Sequence, residues 1–215
     1  MYVVHVLQDS GISEKDRVYI ESVVEGVYKA MQDVLSMEEC AILFSANAHK
    51  VQPGEIFQSF LCDESSFYVF VNLDALSRAG KKEITANLTE HLYNGLYATA
   101  RVRCMNLDAD CGLREEVIGE GLSAHFVCEM TRRKPKPYYT HLHEEEVQTF
   151  LQAMRHDAAK DVSYEKWFRG SREEGIPSHT IHAVGFSLVD MYLKKTKLTS
   201  VRALETPATT IFPAS

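Results

Sequence analysis

The chain has 215 residues, 45% of them hydrophobic and 25% charged, which suits a single globular domain over residues 1–215 with an ample core and leaves little room for a second full domain. A net charge of -7 argues against a basic phosphate-neutralising surface, and so against nucleic acid as a partner. No uninterrupted apolar stretch is long enough to span a bilayer, and MYVVHVLQDSG has neither a cationic start nor a small-residue cleavage site; the expectation is a soluble, cytoplasmic protein with no membrane contact.

In chain order, residues 2–7, YVVHVL, read as an opening strand. Ser13 followed by Asp16 caps a helix in which Val18, Val23, Val24, Val27, Met31, Val34 and Leu35 keep helical spacing, the pattern of a helix lying on a sheet. AILFS, 41–45, reads as a buried strand, NAHKVQPGE as a loop, and SFYVFVNL, 66–73, as a strongly β-prone run that closes the sheet. From Lys82 the pattern turns helical over 83–103, 114–130, 143–158 and 178–197, the last ending on KKTK, cations that complement a helix C-terminus. RRKPKPYY, 132–139, reads as an exposed loop from its prolines and charges. The order predicts an α+β fold, a small mixed sheet with an N-terminal helix followed by a mostly helical C-terminal half.

Five cysteines without CxxC spacing argue against a disulfide framework and a thiolate zinc site, with a Cys104–Cys111 bridge left open. Between Ile84 and Ala100 the only charge-bearing side chains are Glu90 and His91, so this helix is expected to be buried on most sides, where ionisable groups are costly unless paired or metal-bound. On the next helix Glu120 sits in VIGEGLSAHF between two glycines. Each costs about 1 kcal/mol relative to alanine in a helix and is expected to permit close approach of another backbone. Ligands four apart on one helix plus a carboxylate from a later helix are the geometry of a catalytic zinc. His141 and His143 in THLHEEE read instead as a solvated helix start, His5 as a core or edge residue, and Trp167 and Phe168 as anchors for a loop.

From about residue 66 to 206 the chain resembles the bacterial family of predicted zinc-dependent proteases, a zincin-like domain of unknown function that pairs an HExxH helix with a downstream EGLA-type glutamate helix. The resemblance is carried, in order, by SFYVFVNLD, LTEHLYNGLYATAR, GEGLSAHF, KWFRG, IPSHTIHAVGFSLVDMYL and LETPA. It implies a zincin-like fold, a zinc ion, and metal-activated water attacking a peptide carbonyl, with a strand near 67–72 as the sheet edge that aligns substrate. Glu90 stands at the family's first histidine ligand, His91 at the general-base glutamate and Asn94 at the second ligand, while Glu120 matches the family's glutamate. A shifted register pairs Asn87 with His91 but places Leu88 at the base position. His182 stands where the family has a tyrosine.

Three readings follow. The leading one is a degenerate metal site on a binding or regulatory module, without cofactor, in which Glu90, His91 and Glu120 form a buried hydrogen-bonded cluster and the groove takes an extended peptide or protein segment. The second is an active metallohydrolase with zinc held by a non-standard set from Glu90, His91, Glu120 and His125 or His182, and with His91 and Glu90 as the catalytic groups. The third, a hydrolase using His91 or His125 with Cys104 or Cys128, has no supporting motif. The sequence carries no signal for oligomeric state.

Overall fold

The computed structural model describes residues 2–6, 11–35, 39–52, 54–107, 112–158, 160 and 165–213. The Cys104–Cys111 pairing falls outside them, because Cys111 does. The fold is α+β and divides into two compact units, residues 1–109 and 110–215.

The first unit runs β1 (Tyr2–Val6), α1 (Glu14–Gln32), β2 (Cys40–Ala46), β3 (Phe57–Asp63), β4 (Ser66–Val71), α2 (Leu73–Arg78) and α3 (Lys81–Met105). Ser13 caps α1 as expected, its hydroxyl accepting from the Asp16 N–H at 3.2 Å. The sheet order is β1-β2-β4-β3, with β1, β2 and β4 parallel and β3 antiparallel to β4. Alternation assigns the faces: Ile42, Phe44, Phe67, Val69 and Val71 are fully buried, and α3, which packs on α1, lies over β3 and β4. Gly95 sets how closely α3 approaches, since a Cβ there would come 2.4 Å from the Phe67 ring.

This topology corrects one expectation. The strand near 67–72 is not an edge, because β4 is paired on both sides, to β2 and to β3. The edges are β1 and β3. β3 escaped notice because FQSFLCD lacks clean alternation, and its strand character comes from the hairpin partner; Asp63 closes that hairpin by accepting from the Ser65 N–H and hydroxyl. The last two residues of the expected strand belong to the entry of α2, whose first turn Asn72 caps by accepting from the Ala75 N–H.

The second unit comprises α4 (Gly112–Thr131), a 3-10 turn at Pro137–Tyr139, α5 (Glu144–Ala158), α6 (Glu165–Arg169), α7 (Thr180–Thr196) and α8 (Ala208–Ile211). Its core is the α4–α7 pair: a Cβ on Gly121 would sit 2.3 Å from the Gly185 carbonyl oxygen, and one on Gly185 would sit 2.2 Å from that of Val117. Of the two glycines flanking Glu120, only Gly121 serves close approach, for nothing lies within 4 Å of a Cβ at Gly119. THLHEEE is the start of α5, where Glu146 accepts from the His143 N–H at 2.8 Å. Trp167 is buried and donates its indole N–H to Asp157 at 3.1 Å, and so anchors α6 to the end of α5. Among the described residues no helix is long and apolar enough to cross a membrane.

Candidate functional site

In the first unit the chemistry sits on α3, on two neighbouring rows of the helix. Asn87, His91 and Gly95, one turn apart, face the β3–β4 hairpin. The Asn87 carbonyl oxygen accepts from the backbone N–H of Ile56 at 3.2 Å and of Phe57 at 2.9 Å, and its amide donates to the Glu55 carboxylate. His91, buried beside it, brings Nε2 to 3.8 Å from the Glu55 carboxylate. That separation exceeds a hydrogen bond, so the pair interacts through space. Glu90 and Asn94 are also one turn apart and half-buried, and with 3.6 residues per turn they lie about 100° and about 60° around the helix from His91.

In the shifted register, Asn87 with His91, the Asn87 oxygen is engaged by the backbone N–H groups of Ile56 and Phe57 and so clamps the start of β3. The arrangement also brings in Glu55, which sequence reasoning missed. Glu55 lies in the stretch read as a loop, and a lone glutamate there has no periodicity or motif to mark it.

In the second unit Glu120 on α4 meets His182 on α7, with Oε2 to Nε2 at 3.6 Å. Parallel packing of the two helices through Gly121 and Gly185 makes this contact possible. Glu120 keeps 30% of its side chain accessible, yet the dense packing around it and the nearby Glu116 carboxylate push its pKa up to about 7. Burial, with His179 and His141 adding to it, drives His182 down to about 3. At neutral pH the imidazole is therefore uncharged and the carboxyl divided between its two forms, so the contact is not a full ion pair.

His182 is enclosed by rings, with centroids of Phe168 at 5.1 Å, His179 at 5.2 Å, Tyr138 at 5.3 Å and Tyr139 at 5.6 Å. Burial raises the Tyr139 phenol well above its ordinary range. Tyr138 and Tyr139 come from the end of the RRKPKPYY loop, so part of that segment is packing. His125 stacks on Phe186 at 4.0 Å and its Nε2 lies 3.1 Å from the Phe186 carbonyl oxygen; burial lowers its pKa. That bond gives His125 a structural role on the α4–α7 seam.

A protein zinc takes three or four nitrogen, sulfur or carboxylate donors. At 90 and 94 α3 offers one carboxylate and one amide, a poor donor for zinc, and its histidine lies beside Glu55. Among the described residues no group of three or more His, Cys, Asp and Glu side chains is placed to hold a metal ion.

Comparison with known proteins finds no matching curated protein and no matching solved structure. A family match covers residues 20–213, nearly the whole chain, and the family is the one described as Predicted Zn-dependent protease (DUF2268). The chain belongs to that family.

Proposed function

We propose that this member of the family is a zincin-like scaffold with a degenerate metal site, which binds an extended peptide or protein segment and does not hydrolyse it. One observation supports this most: the two helix positions one turn apart carry Glu90 and Asn94, while His91 turns to the hairpin and its contact with Glu55. His91 is instead committed to the hairpin side, beside Asn87, whose oxygen holds the start of β3.

The edge β3 supports the binding half of the reading. A peptide added there hydrogen-bonds along the strand, and alternate side chains fall beside Phe60, which meets Phe70 edge-on at 5.5 Å while Tyr68 stacks on Phe70 at 5.4 Å. These three rings lie on the face of the sheet opposite α3 and are half-buried, so they present apolar area to a bound strand.

A second reading, an active metallohydrolase with a non-standard set including His91 and Glu120, draws on the Glu120–His182 contact, which keeps a carboxyl and a neutral imidazole side by side. One experiment separates the two. Protein purified without chelator or tag is assayed for metal by elemental analysis, before and after equimolar zinc and desalting, beside the His91→Ala and Glu120→Gln variants. The expected result is substoichiometric zinc, unchanged in both variants. Near-stoichiometric zinc lost in the variants, with peptide cleavage, would replace the binding reading with the hydrolase.

A further inference from the structure

α4 and α7 run parallel, with Val117 and Gly121 beside Gly185 and Val189, and Glu129 in the last turn of α4 accepting from the Ser200 N–H at 3.0 Å and hydroxyl at 2.6 Å just past α7. The two helices therefore end at the same end of the second unit. The residues clustered there are Arg132 and Lys134 after α4, and Lys195 and Lys197 at the close of α7, all exposed.

Cations suit helix C-termini, and that alone would account for one or two of them. Three further observations go beyond it. Among the described residues no ion pair or side-chain hydrogen bond holds any of these four, whereas the neighbouring acids are engaged, Asp190 by Lys194 at 2.6 Å and Glu129 by Ser200. Arg132 and Lys197 both take left-handed backbone, with φ of 54° and 58°, where glycine would avoid a cost of roughly 1 kcal/mol. Met191 and Leu198, two of the exposed large hydrophobic residues of the described chain at 46% and 37% exposure, stand on the same α7 end.

We propose that this end of the second unit is a docking surface for an acidic protein segment that carries apolar side chains between its carboxylates. The cations supply the complementary field and steer encounter, and Met191 and Leu198 supply the apolar contact. A membrane fits less well, because among the described residues no phenylalanine or tryptophan stands among the exposed large hydrophobics to anchor at the headgroup level. Nucleic acid fits less well, because the chain carries a net charge of -7, which opposes a polyanion beyond the local patch. The surface belongs to the second unit and the proposed peptide edge to the first, so the two readings are tested separately.

The test uses the full chain and a short labelled peptide of alternating glutamate and leucine, followed by fluorescence anisotropy. Saturable binding in low salt is expected, weakened at least about tenfold both by about 0.5 M salt and by either double reversal, Arg132→Glu with Lys134→Glu or Lys195→Glu with Lys197→Glu. Reversing exposed Lys29 and Lys82 in the first unit should leave affinity within about twofold. Phosphatidylserine vesicles and a DNA duplex serve as competing polyanions. No saturable peptide binding, equal loss in the first-unit control, or tighter binding to either polyanion would overturn the proposal. Trp167 emission in each variant verifies that unit's fold independently.

Discussion

Asp157 shows how a single residue couples the local network to pH. Burial alone would raise its carboxyl, but the Lys166 ammonium at 2.8 Å outweighs that, aided by the Trp167 indole and His156, and holds it below the ordinary carboxylate range. A depressed carboxylate contributes stability that is present above its unfolded pKa, near about 4, and is lost as pH falls through the lower folded value. Acid titration should therefore move the emission of Trp167, the single tryptophan of the chain, in that window, and Asp157→Asn should remove most of the change. The same variant should cost about 1–2 kcal/mol in urea unfolding, limited because Lys166 keeps Glu174 at 2.8 Å. Asn87 is the corresponding clamp in the first unit. Truncation to alanine strands two backbone N–H groups at the start of β3 and should cost about 2 kcal/mol, with faster amide exchange at Ile56 and Phe57 than elsewhere in the sheet.

At the scale of elements, α4 carries a paired test of what its glycines do. Gly121→Ala drives a methyl into the Gly185 carbonyl and should destabilise by about 2–3 kcal/mol, whereas Gly119→Ala meets nothing and should stabilise by about 0.5–1 kcal/mol through helix propensity. Thermal unfolding of the two variants reads both signs. The sequence motif GEG could not separate these glycines, since the distinction lies in which of them faces α7. Element type was more legible: the α1, α3, α4, α5 and α7 patterns all became helices close to their expected limits, because long periodic segments and caps are local signals. The short pieces α2, α6 and α8 and the strand β3 went unread, being too brief for periodicity to register.

At the scale of the molecule, the expectation of a single domain meets a chain whose contacts gather into two units. Trp167 reports on the second unit and Cys40 on the first, its thiol fully buried and pushed up to about 11 by that burial, so it is unreactive until the sheet opens. Pulsed thiol labelling of Cys40 and Trp167 emission should give coincident midpoints in urea if the chain unfolds as one domain. Separate midpoints would divide it near residue 109.

The sequence by itself determined the α+β class, the order of the long elements and the family, because helix periodicity, β-branched runs and the string of motifs from SFYVFVNLD to LETPA are properties of neighbours along the chain. Which face of α3 holds His91, that Glu55 meets it, that Asn87 clamps a strand, that β4 lies inside the sheet and that His182 meets Glu120 were decided only by tertiary structure. Each of these pairs residues far apart in sequence, where no local pattern encodes the contact; packing of α3 on the hairpin and of α4 on α7 chooses it.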